Sequence, residues 1–214
     1  MTPASPFARR SATLALALCM LTAFAGEALA QTPPAAVRMR GTVLGVTPAT
    51  LTVKDRSGEV VELAISDKLV VSEVYPIKLD DIKPGSYIGT AAMPQPDGTQ
   101  RAIAVSVFPE SARGTGDGHR PFDLLPQSTM TNATVADVSA IANTPAGRKL
   151  QLKYKGGEQT VIVPPDAPVV TSRPGDRSLL VPGASVSLFA QAAIDGKPTV
   201  LRINAGRNGF ALPY

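Results

Sequence analysis

The chain has 214 residues and a formal net charge of +4 at neutral pH, and 18% of its residues are charged. This length allows one or two domains. The excess of basic residues is small and is not concentrated in one stretch, which argues against a nucleic-acid-binding protein and favours ordinary solubilising charge. The 20 prolines and 18 glycines are typical of short strands joined by many turns.

Residues 1–30 have the pattern of a cleaved signal peptide. Arg9 and Arg10 precede an apolar run over 14–26, and Ala28-Leu29-Ala30 forms a small-x-small cleavage site. The run is too short for a membrane-spanning helix. We therefore expect a periplasmic or secreted mature chain without a transmembrane segment. The single cysteine, Cys19, lies in this leader, so we expect no disulfide and no thiol chemistry in the mature protein.

The first half contains five strand-like segments. Leu51 and Val53 alternate with Thr52 and Lys54, which is the period of a half-buried strand. The predicted strands are 38–47, 50–55, 59–65, 86–93 and 101–108. Residues 66–84 are longer and more mixed, and we expect there an irregular connection or helix whose apolar residues close the end of a barrel: Val70, Val71, Leu79 and Ile82.

The second half repeats this order. Its predicted strands are 130–139, 149–155, 158–163, 185–193 and 197–205. A shift of 98 residues places Pro84-Gly85 on Pro182-Gly183 and Asp97-Gly98 on Asp195-Gly196. Val70-Val71 matches Val169-Val170 at an offset of 99, and the second half has a longer loop at 140–147. These matches predict a duplication, although two unrelated meanders with similar turns would also give them.

The fold class predicted from these segments is all-β. We expect two tandem OB-like five-stranded Greek-key barrels after the cleaved signal peptide. The first barrel would span 38–110 and the second 129–206, and a partly docked linker over 111–128 would join them.

The linker contains the candidate ligand-binding residues His119, Arg120, Phe122 and Asp123. His119 is the only histidine, and with Asp117 and Asp123 nearby it could contribute to a divalent-ion site, or with Arg120 it could meet an anionic ligand. A metal site needs three or four converging ligands, so a solvated polar loop beside an apolar plug is the simpler interpretation. We predict no metal and no cofactor.

No pattern in the chain predicts catalysis. There is no G-x-S-x-G motif to place a serine nucleophile, and Asp80 and Asp81 are adjacent, which rarely lets two carboxylates share a site. Tyr87 and Phe108 could stack bases, but they do not interleave with basic residues on the same strands, so core or rim packing is the better interpretation. We predict that the protein is not an enzyme.

One motif series resembles a bacterial exported domain family of unknown function with an OB-like five-stranded barrel. The series covers roughly residues 38–110. It is carried by Val43, Gly45, Val46, Leu51, Val53, Gly58, Val61, Leu63, Leu79, 81–89, Asp97, Gly98, Ala102 and Val105. The second half keeps Val181-Pro182-Gly183 but lacks the preceding Asp-Ile-Lys. The resemblance implies a barrel architecture and brings no catalytic residues.

The resulting functional prediction is a non-enzymatic periplasmic binding or structural module that acts on an envelope component or an exported protein. Nucleic acid is not the expected partner. Three alternatives remain open: a barrel that binds oligosaccharide or nucleic acid, a metal-handling accessory protein, and an enzyme that uses His119.

Overall fold

The computed structural model describes residues 36–141, 144–192 and 197–214. The predicted leader and the predicted Asp195-Gly196 turn lie outside these residues. In the described residues the chain forms twelve strands, with short 3-10 turns at Leu79–Asp81, Glu110–Ala112 and Arg177–Leu179. The strands are β1 (Ala36–Val46), β2 (Thr50–Asp55), β3 (Val60–Pro76), β4 (Tyr87–Pro94), β5 (Gln100–Val107), β6 (Gly118–Pro121), β7 (Thr129–Ile141), β8 (Thr144–Tyr154), β9 (Gly157–Val163), β10 (Val169–Pro174), β11 (Ser185–Gln191) and β12 (Thr199–Gly206). No helix among the described residues has the length and apolar character needed to cross a bilayer.

Strand pairing closes two rings of five strands. In the first ring, β1, β2 and β3 follow one another, β11 pairs with β1, and β12 pairs with β11 and lies parallel to β3, with Ile203 opposite Val71. In the second ring, β7, β8 and β9 follow one another, β4 pairs with β7, and β5 pairs with β4 and lies parallel to β9, with Gln100 opposite Val161. The all-β prediction is confirmed. A closed ring has no free edge among its own strands, which removes the usual site of edge-to-edge aggregation.

The composition of the rings differs from the predicted barrels at 38–110 and 129–206. The first ring takes β11 and β12 from the second half of the chain, and the second ring takes β4 and β5 from the first half. The physical reason is the length of β3. It continues to Pro76 instead of ending near Ile65, and 17 residues of strand extend for roughly 55 Å. The chain therefore leaves the first ring before it forms β4.

Each ring surrounds its own hydrophobic core. The first core joins residues from both halves, such as Leu63 and Leu188, which are both fully buried, and the second does the same with Ile88 and Leu150. Burial of each such side chain stabilises the fold by about 1.5–3 kcal/mol. Neither core can form from half of the chain alone.

The predicted plug residues of 66–84 do not all close the first ring. Ile82 is 2% exposed and belongs to the second core, and Leu79 packs against the same core. Val71 is buried in the first core, whereas Val70 is 53% exposed. The residue that lies 98 positions after Ile82, Leu180, is buried in the first core. The two halves therefore exchange these side chains as well as their strands.

The two rings are joined where β3 pairs antiparallel with β10. Val74 lies opposite Ser172, and these residues are 98 positions apart. The neighbouring pairs are Glu73–Arg173 and Tyr75–Thr171. Glu73 and Thr171 are 98 positions apart, and so are Tyr75 and Arg173, so the 98-residue shift maps one pair onto the other. This is the relation that a two-fold axis produces between identical surfaces.

The register at this point also corrects one detail of the predicted repeat. Val71 lies opposite Ile203, and Val169 lies opposite Val105 in the same way. The offset here is therefore 98 residues, and the predicted match at an offset of 99 is one residue out of register. The predicted long loop at 140–147 is mostly strand, because β7 extends to Ile141 and β8 begins at Thr144.

Candidate functional site

The linker is held against the second ring. β6 pairs with the start of β7, and the Asn132 side chain donates a hydrogen bond to the Thr115 carbonyl at 2.9 Å. The backbone N–H of Lys155 donates to Asp117 Oδ1 at 2.7 Å. Gly116 has a φ of 59°, and a Cβ there would lie 3.0 Å from the Asn132 amide nitrogen. The glycines of this segment therefore permit its close docking, which the sequence pattern did not predict for the first part of the linker.

His119 contacts the second ring. Its Nδ1 lies 2.8 Å from Thr131 Oγ1, and its ring stacks on Tyr154 with centroids 6.4 Å apart. Asp117, the nearest carboxylate in sequence, is bound to Lys155 and to the Tyr87 hydroxyl. Among the described residues, no group of three His, Cys, Asp or Glu side chains is placed to hold a metal ion.

Asp123 instead contacts β1 of the first ring. Its Oδ1 and Oδ2 accept hydrogen bonds from Arg40 Nη2 at 2.7 Å and from Arg40 Nη1 at 3.1 Å. Arg38 Nη1 lies 3.4 Å from the same carboxylate. This two-pronged contact is the geometry in which a guanidinium binds a carboxylate most strongly. The Arg40 hydrogen bonds hold the pKa of Asp123 below its usual value.

Two phenylalanines orient the arginines. The Arg38 guanidinium lies over the rings of Phe122 and Phe189, at 5.1 Å and 4.9 Å from their centroids, and Arg40 lies 5.2 Å from the Phe122 centroid. A guanidinium over an aromatic face is attracted by the ring quadrupole. Phe122 and Asp123 thus connect the linker to the first ring, while His119 connects it to the second.

Positive charge exceeds negative charge around Asp123. Burial lowers the pKa of Arg38, and repulsion from Arg40 and Arg120 adds to this effect. Burial also lowers the pKa of Arg56, with further repulsion from Arg40. We call Arg38, Arg40, Arg56 and Arg120 the arginine cluster. Asp123 is the one carboxylate among the described residues that forms an ion pair with this cluster.

A cleft of about 180 Å³ adjoins the cluster in the first ring. It lies between β1, the end of β2, the start of β11 and the C-terminal segment, and the N–H of Leu212 holds that segment to Ser185 Oγ at 3.1 Å. Its lining residues are Arg40, Gly41, Thr42, Lys54, Asp55, Arg56, Ser185, Val186, Leu212 and Tyr214. Three of them are cationic, and one is acidic.

The carboxylate of Asp55, the acidic lining residue, is hydrogen-bonded within its own turn. Asp55 Oδ1 accepts hydrogen bonds from Ser57 Oγ at 2.7 Å and from the N–H of Glu59 at 2.9 Å. In contrast, Lys54 and Arg56 have no ion pair with any residue of the described ranges. Arg40 Nε is buried and has no hydrogen-bond partner there. The cleft is therefore lined by Lys54 and Arg56, two cations without an ion pair in the described ranges, and by Arg40.

The candidate residues chosen from the sequence lie in the linker, and Arg38 and Arg40 of β1 were not among them. Arg38 and Arg40 are two residues apart on β1 and therefore share one face of the strand. That spacing was visible, but nothing in the sequence showed that the face meets Phe122 and Asp123. Arg120 donates to the Gly116 carbonyl at 2.7 Å and lies near enough to Arg38 to lower the pKa of that side chain.

The residues that the sequence offered for catalysis or base stacking, Asp80, Asp81, Tyr87 and Phe108, contact other residues of the fold. Asp80 forms an ion pair with Arg148 at 2.5 Å, whereas Asp81 accepts a hydrogen bond from the N–H of Lys78. The two carboxylates therefore do not share partners. Tyr87 is 3% exposed and packs on Phe108 with ring centroids 5.5 Å apart.

Comparison of the chain with protein-family models, with curated proteins and with solved structures gives no match. The function is therefore argued from the geometry of the chain itself.

Proposed function

We propose that this protein is a non-enzymatic binding module that recognises a negatively charged envelope component or exported protein. The binding face comprises the linker residues His119, Arg120, Phe122 and Asp123 together with the arginines of β1. The observation that supports this proposal is the arginine cluster, in which two of the four guanidinium groups pair with one carboxylate and the other two lie within electrostatic range of that pair. Uncompensated charge of this kind steers association with anionic partners.

The proposal includes an interpretation of the fold. We interpret each ring as an OB-like barrel, and the pair as a duplication in which the two copies have exchanged their last two strands. Barrels of this class bind ligands on one face and its flanking loops. Three members of the arginine cluster lie on β1 and on the turn after β2 in the first barrel, and the fourth, Arg120, lies on β6 of the linker, which is consistent with such a binding face. The leader pattern supports a periplasmic or secreted location.

The contacts of the candidate residues favour binding over catalysis. His119 is engaged by Thr131 and Tyr154, whereas Asp123 is engaged by two arginines. General acid–base catalysis requires a base within hydrogen-bond reach of the group that orients it or of the proton that it removes. His119 and Asp123 have no such contact with each other in the described part of the chain.

The proposal is tested by photo-crosslinking in intact cells. A photoreactive residue at Leu125, which is 49% exposed beside Asp123, should capture a discrete partner. The same residue at Val70, which is 53% exposed on β3, serves as the control. We expect the Leu125 product to disappear when Arg38 and Arg40 are both replaced by glutamine. Identical products from both positions, or no product from Leu125, would overturn the proposal.

The partner itself decides between the main proposal and the alternative of a polymer-binding barrel. A captured acidic polysaccharide or nucleic acid would support the alternative. In that case retention on an anionic matrix should fall steeply as the salt concentration rises, because each phosphate or carboxylate contact releases counterions.

A further inference from the structure

We propose that the cleft between Arg40, Lys54 and Arg56 binds one oxyanion group, a carboxylate or a phosphate, of the partner. This inference rests on the proposed binding function, because it names the chemistry that the partner must carry. It adds a second anion position, next to the one that Asp123 already occupies.

The first support is the unused edge of Arg40. A guanidinium has five N–H donors, and Asp123 accepts from the end that is formed by Nη1 and Nη2. The Nε donor is buried without a partner among the described residues. A buried donor that lacks an acceptor destabilises the protein, so such groups are normally satisfied by protein, water or ligand. Because Nε is closed to solvent in this structure, an oxyanion in the adjoining cleft would satisfy it after a shift of the Arg40 side chain.

The second support is the balance of charge in the cleft. Arg40, Lys54 and Arg56 line it, and the carboxylate of Asp55 is already bonded within its own turn. Side chains of Arg and Lys that converge in a partly enclosed site favour phosphate and carboxylate ligands.

The third support is the size of the cleft. A volume of about 180 Å³ holds roughly six waters at about 30 Å³ each. This is enough for one phosphate or carboxylate with a short stem, and too little for a whole sugar chain or peptide. The site therefore fits the charged end of a larger ligand that continues across the linker.

Asp123 is a carboxylate within the chain that is already bound at these arginines and competes with a second anion. It is bound by the fork of Arg40, and its side chain is 57% exposed. It lies near enough to Arg56 to affect that side chain electrostatically. Asp123 should therefore weaken the binding of a second anion, and its removal should strengthen it.

The test is a titration of the purified full-length mature protein, followed by ¹⁵N NMR of the arginine side chains. Sodium phosphate and sodium glucuronate are the two probes, and sodium chloride at matched ionic strength is the reference. We expect saturable shifts of the Arg40 and Arg56 Nε signals with at least one probe. Saturation by phosphate alone indicates a phosphate-bearing ligand, and saturation by glucuronate alone indicates a carboxylate-bearing one.

Four variants make the titration specific. Arg56→Ala should weaken binding roughly five- to tenfold, and Asp123→Asn should strengthen it about threefold or more because it removes the competing carboxylate. Arg101→Ala, at an exposed position of β5, is the control and should leave the affinity for both probes unchanged. Arg56→Lys keeps the charge without the fork and covers the case in which the alanine variant does not fold. Loss of affinity in Arg101→Ala equal to that in Arg56→Ala, or shifts that do not saturate beyond those with chloride, would overturn the inference.

The two proposals fail separately. If cells yield a partner but the titration shows no saturation, the oxyanion site is wrong and the binding module stands. If the titration saturates but no partner is captured, the cleft binds oxyanions and the proposed function is wrong.

Discussion

Glu73 and Arg173 face each other across the antiparallel pair β3–β10 that joins the two rings. Glu73 is 4% exposed, and its Oε1 lies 3.0 Å from Arg173 Nη2. Arg207, which follows β12, reaches Oε2 at 3.0 Å. The positions that correspond under the 98-residue shift are Thr171 and Tyr75, which carry no charge. The backbone of this joint is therefore symmetric, whereas its ionic contact is present on one side of the axis.

This carboxylate should make the protein sensitive to acid. The hydrogen bonds from Arg207 and Arg173 lower the pKa of Glu73 to about 2. Because the folded-state pKa is below the unfolded value of 4.5, the contribution to stability is complete above about pH 4.5 and is lost as the pH falls towards 2. We expect Glu73→Gln to be less stable than the wild type in urea unfolding at neutral pH, and the gap should close as the pH falls through this window.

The control for this experiment is Glu158→Gln, at an exposed position of β9. It removes one negative charge without breaking a contact between β3 and β10. A stability gap for Glu73→Gln that stays constant from neutral pH to pH values near 2 would contradict the assigned ion pair.

Tyr87 should produce the opposite dependence at alkaline pH. Burial raises the pKa of its hydroxyl to about 12, and the charge of Asp117 adds to the effect. The folded state thus favours the neutral phenol. The contribution of the Tyr87 hydroxyl to folding stability is complete below the unfolded pKa of 10 and is lost as the pH rises from about 10 towards 12. A phenolate absorbance titration, measured as wild type minus Tyr87→Phe, should have its midpoint well above 10, and a midpoint at 10 would show that the hydroxyl is not buried.

Gly85 and Gly183 should be required for their backbone conformation. Their φ angles are 88° and 87°, and their N–H groups donate at 2.8 Å to Val135 and Val43 of the ring that each turn enters. A Cβ would meet nothing within 4 Å at either position, so the effect of alanine is conformational. We expect each alanine variant to lose about 1–2 kcal/mol of unfolding free energy in urea.

Gly45→Ala is the matched control for these glycines. It also has open space for a Cβ, but its φ is not positive. Its unfolding free energy should change by less than about 0.5 kcal/mol. An equal loss at Gly45 would mean that the positive φ of Gly85 and Gly183 is not the cause of the effect.

The alternation of apolar residues predicted the strands well, because each strand has one face in a core. Leu51 and Val53 on β2, and Leu150 and Leu152 on β8, are all fully buried, as their spacing indicated. The exchange of strands was not predictable in this way. Alternation shows which face of a strand is buried, but it carries no information on which of two similar barrels buries it. The repeated turns at Gly85 and Gly183 would be the same in either arrangement.

The candidate site shows the same limit. Phe122 stood out as an apolar residue after a glycine-rich segment, and Asp123 stood out as a carboxylate near the only histidine. Their partners Arg38 and Arg40 lie more than 80 positions away, on a strand whose neighbours are set by the exchange. Arg56 lies in a polar turn, where an arginine is ordinary. Only the folded chain shows that Arg38 and Arg40 meet Asp123 and that Arg56 lies within electrostatic range of them.

The exchange of strands predicts that the halves remain together after the linker is cut. A specific protease site inserted after Gly114, a glycine with a φ of 83° in the linker, would separate β1–β5 from β6–β12. Each fragment then lacks two strands of one ring and three of the other. We expect the cleaved protein to elute as one particle in native gel filtration and to separate only in urea. Each fragment refolded alone should lack the native circular dichroism spectrum, and mixing the fragments should restore it. Two fragments that elute separately and fold independently would instead indicate consecutive barrels, because only closed rings made within each half are stable without the other half.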